Sequence, residues 1–261
     1  MDSILELVKR RKEPFELRAR LLGRAKKRFA THLDIKHADK SGTKLVTLLQ
    51  LSVGPRFPSR QLCRPEELKG HIQNRDTLFH YRDFLFPDVG SAVLSQHESA
   101  IVLDAARGTS FLEINVWGLM FYGAHIWFAS GEIAGIDMGA FLGYVLLFIR
   151  HAAKMLQALG FSGSIAIEIT LTRILKMRWL DDSRGYMKFK DGSELDDEVT
   201  LTIPTSTEAL RDKPDRVAME IFRHVFFSVN MRNLVDPPEK LEELLKNGFD
   251  YNGWQSEKPL I

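Results

Sequence analysis

The chain has 261 residues, 44% hydrophobic, 27% charged and 10% aromatic, which supplies a substantial core and excludes a disordered or low-complexity chain. Its single cysteine, Cys63, excludes a disulfide framework and a cysteine-based zinc site, and fits a reducing, cytoplasmic setting. The net charge of +2 hides an asymmetry: residues 1–44 carry 13 Lys/Arg against 6 Asp/Glu, and the remainder carries 23 against 28. Such a basic end calls for an anionic partner or for an acidic surface within the same molecule.

The start, MDSILELVKRRKEPF, places acidic residues before basic ones and has no long apolar run, so it does not read as a signal peptide. Residues 5–11 read as a short helix, and Pro14, suited to a first helical turn, opens a second. Along 15–30, Leu21, Leu22, Ala25 and Phe29 fall on one face, while Arg20, Arg24, Lys27 and Arg28 fall on another. That spacing predicts an amphipathic helix with a cationic face. Residues 1–30 therefore read as a basic N-terminal helical segment and 31–261 as one α+β domain.

A strand is expected over 44–53, then a proline-punctuated loop through GPRFPSRQLCRPEEL, then a partly helical stretch over 68–85. AIVLDAARG reads as a strand, and FLEINVWGLMFYGAHIWF as a hairpin turning at or near Trp117-Gly118. Residues 138–160 form the strongest helical pattern, stopped by Gly160. Its continuous apolar run, MGAFLGYVLLFI, is shorter than the roughly 20 residues of a membrane span, so a buried core helix is expected. Gly135, Gly139 and Gly143, four apart, predict close packing. A strand follows over 165–175, and YMKFKDGSELDDEVTLTIP reads as two more, with a turn signal at Asp191-Gly192. A helix is expected over 215–230, burying Val217, Ile221, Phe222, Val225, Phe226 and Val229, and a capped helix over 236–248. Strands in hairpins with helices after them give an α+β fold, its mainly antiparallel sheet packed against several helices.

No pattern carries chemistry outright. The eight histidines form no His-Glu-x-x-His pair, so no metal site is implied. GFSGS at 160–164 has its second glycine one position too early for a nucleophile elbow, and it follows a helix rather than a strand. Glu168 sits on a strand, but Thr170 stands where a metal-dependent nuclease pattern wants lysine. There is no glycine-rich phosphate loop, and hence no implied cofactor and no candidate catalytic residue. An enzyme would require convergence in space, with Glu168, His125 and Asp181 or Asp182 gathered in one pocket.

Two binding readings remain open. Arg20, Arg24, Lys27 and Arg28 can neutralise phosphates or meet an acidic partner protein, or they are simply the wet face of a helix. The face lacks nearby Tyr or Trp for stacking bases. Alternatively the aromatic hairpin over 111–128, with Trp117, Phe121, Tyr122 and Trp127, forms a self-association or docking interface if it lies at a sheet edge.

From Phe15 onward the order of segments is FELRARLLGRAKKRF, TKLVTLLQLSV, the FLEINVWGLMFY hairpin, FLGYVLLFIRHAAKMLQALGFSGSIAIEITL, VAMEIFRHVFFSVN and the tail FDYNGW. This order resembles the C-terminal portion of bacterial Schlafen-like proteins that carry an Alba-type DNA-binding domain. It departs from their pattern at Trp117-Gly118, where the family typically has Asn-Gly, and in the helix over 237–248 before the tail. The resemblance implies a non-enzymatic companion module of a nucleic-acid-associated system in bacterial regulation or defence. It carries over no functional residue and no part of the Alba-type domain.

Overall fold

The computed structural model of the chain describes residues 2–37, 47–81, 84–87, 93–97, 99–104, 110–130, 133–175, 177–181, 188–191, 196–234, 239 and 242. The first element is one long helix, α1 (Asp2–His37), with Pro14 inside it rather than opening a second helix. Proline removes one helical N–H, which costs most where the freed carbonyl is sealed from water. Here the neighbouring Glu13, Phe15 and Glu16 are exposed, and the helix runs through.

After α1 come β1 (Leu48–Pro55), α2 (Pro65–Ile72), a hairpin of β2 (Phe79–Tyr81) and β3 (Phe84–Phe86), β4 (Val93–His97), β5 (Ala100–Asp104), β6 (Ser110–Asn115) and β7 (Met120–His125). Then follow β8 (Trp127–Ser130), β9 (Ile133–Asp137), α3 (Met138–Ala158), β10 (Ser164–Thr172), β11 (Arg178–Asp181), β12 (Lys188–Asp191), β13 (Glu198–Ser206), α4 (Thr207–Asp212) and α5 (Pro214–Ser228). The fold is α+β. Seven strands form an antiparallel sheet in the order β13-β10-β1-β7-β6-β5-β4. A second sheet runs β12-β11-β9-β8, with β11 parallel to β9.

The stretch 68–85 is thus helical at its start, where Pro65 opens α2 and the Arg64 backbone N–H donates to Glu67 at 2.9 Å, and again in a single 3-10 turn over Arg75–Thr77. Aromatic residues at 79, 81, 84 and 86 then favour a short hairpin over a helix. The two strands foreseen in 186–204 exist but do not pair with each other: β12 joins β11, and β13 joins β10. Gly192, nearly all of the helix expected over 236–248, and the FDYNGW tail lie outside the described residues.

The large sheet has two different faces because its strands alternate. On β1, Leu49, Leu51 and Val53 point one way and Ser52 the other; on β10, Ile165, Ile167, Ile169 and Leu171 oppose Ala166, Glu168 and Thr170. The wholly apolar face packs against α3 and α5, whose Val217, Ile221, Phe222, Val225 and Phe226 are buried with Val229 just beyond, as the periodicity predicts. Arg150 of α3 grips Asp215 of α5 through two hydrogen bonds of 2.7 and 2.8 Å. Asp137 caps α3 by accepting from the Ala140 N–H at 2.9 Å. At the far end Gly160 takes φ 66°, and Gly160 and Phe161 donate back to Gln157 and Leu156, a Schellman stop. The GFSGS stretch is therefore a helix terminus leading into β10. Over its 21 residues α3 is long and apolar enough to cross a membrane, but 72% of its most apolar window is buried inside the fold.

Candidate functional site

The half-polar face of the sheet is covered by α1. Leu21, Leu22, Ala25 and Phe29 form its buried stripe and pack with Leu48, Val102, Phe111, Leu119 and Phe121. Phe29 lies directly over Gly123, where an added Cβ would come within 2.6–2.7 Å of its ring. Phe111 and Phe121 form a triangle with that ring, at centroid distances of 5.7 and 5.8 Å from it and 6.0 Å from each other.

The cations beside this stripe are consumed internally. Arg28 pairs with Glu113 of β6 at 2.7 Å, and Lys26 pairs with Glu168 of β10 at 2.8 Å. Arg18, half-buried, reaches the Ala166 carbonyl at 3.5 Å. Its Nε, the Ser52 hydroxyl and Glu113 Oε2 are buried with no hydrogen-bond partner. Burial pushes the Glu113 carboxyl above the usual range, against the opposing pull of Arg28, His97 and Arg24. With its native proton affinity raised, Glu113 binds a proton in the folded state where the unfolded chain has already lost it. Its contribution to stability therefore falls as pH rises above the ordinary Glu value. Glu113→Gln should gain on the wild type between pH 4.5 and pH 7.5 in paired urea titrations. A variant losing ground over that interval would show that the ion pair outweighs the burial cost.

Three other cations of α1 point outward. Arg20, Arg24 and Lys27 are exposed and make no ion pair among the described residues, along a helix whose inner side is fixed to the sheet. The four-residue cationic face read from the sequence is thus divided: Arg28 has turned inward to Glu113, and three cations remain free to solvent. Seven residues before Leu22, in line with the buried stripe and on the other side of the helix from Arg24, Phe15 meets Phe57 from the loop after β1, edge to face at 4.9 Å. The sequence gives no sign of this pair, because nothing local links α1 to that loop.

The aromatic hairpin does not lie at an edge. β6 and β7 are flanked by β5 and β1, so their backbones are paired on both sides. Phe121 is buried under α1 and Tyr122 under α3, against Phe148 and Tyr144. Trp117 is half-buried in the turn, where Asn115 Oδ1 accepts from the N–H groups of Trp117 and Leu119 and Gly118 takes φ 75°. The Trp127 side chain lies outside what is described, although its backbone belongs to β8. The aromatic density serves two cores because alternate residues of a central strand face opposite sides of the sheet.

Glu168, His125 and Asp181 do not converge. Glu168 stands opposite Ser52 and His125 opposite Leu48, on either side of β1 and about 13 Å apart along it, while Asp181 belongs to the other sheet. Asp182 lies outside the described residues. Among the described residues, no three His, Cys, Asp or Glu side chains gather to hold a metal ion. Comparison of the chain with protein-family models, with curated proteins and with solved structures finds no match.

Proposed function

We propose that the protein is a non-enzymatic binding module that holds nucleic acid by its phosphates, through Arg20, Arg24 and Lys27 on the outer side of α1. The observation that carries this reading is the division of charge on one helix. Lys26 and Arg28 are neutralised by Glu168 and Glu113, which fixes the helix, while three exposed cations keep their charge for an external anion. An exposed ion pair would gain little, but a polyanion that releases counterions gains at each contact. With the Schlafen-like resemblance, we place this module in a cytoplasmic system of bacterial regulation or defence, although the resemblance itself carries over no DNA-binding part.

Three contacts set the expected signature. Fluorescence anisotropy with labelled oligonucleotides should give a slope of about −2 to −3 in log affinity against log salt, with no dependence on base sequence. Binding that ignores salt, or that is absent near physiological ionic strength, would defeat the reading. An acidic protein partner would then be the ligand to seek.

A further inference from the structure

The seven-stranded sheet ends on β13, which pairs with β10 and, among the described residues, with nothing on its other side. Its register and one hydrogen bond set which backbone groups face that open side. Ser164 stands opposite Ser206, and just beyond this pair the Thr207 N–H donates to the Gly163 carbonyl at 3.0 Å. Antiparallel bonding alternates, so Thr205, Ile203, Leu201 and Val199 also turn their N–H and C=O groups toward β10, while Glu198, Thr200, Thr202 and Pro204 turn theirs outward. Pro204, which has no N–H, thus stands where the sheet asks for none. The open edge offers both donor and acceptor at Glu198, Thr200 and Thr202, and it stops at Pro204. The side chains of Glu198, Thr200 and Thr202 are exposed, on the sheet face that carries Glu168 and Thr170. On the opposite face Leu201 and Ile203 are only half-buried where the sheet ends.

We infer that this edge pairs with the same edge of a second copy of the chain, antiparallel about a two-fold axis at Thr200. In that register Thr200 faces its own counterpart, and Glu198 faces Thr202 of the second copy, so each outward residue exchanges hydrogen bonds through both its N–H and its C=O. Pro204 then falls beyond the end of the opposing strand, which begins at Glu198. Centring the pair on Leu201 instead would set Pro204 opposite Glu198 at both ends, where it has no N–H to give and its ring crowds the ladder. The proline therefore selects the register. Charge agrees with a second copy as the occupant: no like charges stand opposite each other, and each Glu198 carboxylate meets a threonine hydroxyl. On the other face Val199 faces Leu201 of the second copy, which gives the half-buried leucine an apolar neighbour. The two-fold axis is perpendicular to the sheet, so both α1 helices cover the same face of one continuous sheet. The pairing needs no nucleic acid and is independent of the cationic ridge on α1.

The test is the oligomeric state of the full chain, free of nucleic acid, by light scattering and sedimentation over a wide range of protein concentration. Wild type should show a monomer–dimer equilibrium. Thr200→Lys and Thr200→Glu each set two like charges face to face across the axis, and each should raise the dimer dissociation constant by at least about tenfold. An equimolar mixture of the two variants should dimerise again, because lysine then faces glutamate. Thr200 is exposed, so both variants should fold, which circular dichroism and urea unfolding check. Recovery in the mixture also shows that the edge itself is intact in both. A wild type that stays monomeric at every concentration would overturn the pairing. A dimer that tolerates either charge alone would place the contact elsewhere and overturn it too. Loss of the dimer in both variants with no recovery in the mixture would refute the axis at Thr200.

Discussion

Gly123→Val should loosen α1 from the sheet, at a cost of about 1–3 kcal/mol, although valine is the better strand residue. Gly123 sits inside β7, paired with Gln50 and Phe111 on its neighbours, where a β-branched side chain ordinarily fits well. The penalty comes from above: a Cβ there meets the Phe29 ring at 2.6–2.7 Å, and that ring is already buried against Phe111 and Phe121. The counterpart Phe29→Ala should cost about 3–5 kcal/mol, by removing a fully buried ring and leaving a void. The two changes occupy the same space, so they should not add. Gly123→Val in the Phe29→Ala background should be tolerated better than in the wild type, as a double-mutant cycle by urea unfolding would show. Simple additivity would mean that the helix does not rest on that glycine.

The second large effect is acid destabilisation through His151. This residue lies in the core on α3, 0% exposed, with its Nδ1–H donating to the Thr77 carbonyl at 2.8 Å. Burial pushes its pKa down from 6.5 to about 4, with Lys154 adding to the fall and the Thr77 bond opposing it. The depressed value fixes the sign. Between these two pH values the unfolded chain holds a proton that the folded chain does not, so stability falls as the solution is acidified. A shift of that size corresponds to about 3 kcal/mol lost between pH 6.5 and pH 4. His151→Asn keeps an N–H for Thr77 and removes the titration. The stability gap between wild type and variant should change by about that amount across this range, in favour of the variant at low pH. A constant gap would show that His151 is charged, or already solvated, in the native state. Glu113 titrates with the opposite sign, so Glu113→Gln separates the two contributions.

Much of this was readable from the residues because it was periodic or chemically local. The Leu21, Leu22, Ala25 and Phe29 stripe, the α5 stripe, the Gly160 stop and the turn at Trp117-Gly118 all follow from spacings within one element. The short strands β2, β3, β8, β9 and β11 have three to five residues each, too few to display a period. What escaped at the candidate site is long-range. Arg28 leaves the cationic face because Glu113, 85 residues away in sequence, presents a buried carboxylate beneath it. Helical spacing shows which cations share a side; it does not show which of them a strand will claim. The hairpin aromatics misled for a related reason: a hairpin reads the same in sequence whether it lies at the edge of a sheet or at its centre, as β6 and β7 do here.

The account depends most on the division of charge along α1, and one crossed comparison tests it directly. An outward variant, Arg20→Gln/Arg24→Gln/Lys27→Gln, and an inward variant, Lys26→Gln/Arg28→Gln, are each measured for oligonucleotide affinity at two salt concentrations and for urea stability. The outward variant should lose at least tenfold in affinity and most of its salt dependence, with stability within about 0.5 kcal/mol of wild type. The inward variant should lose stability, because buried Glu113 is left without its partner, while a correctly folded population keeps the salt slope. If instead the inward variant loses the binding and the outward one keeps it, the ridge is only a solvated surface and the nucleic-acid reading fails.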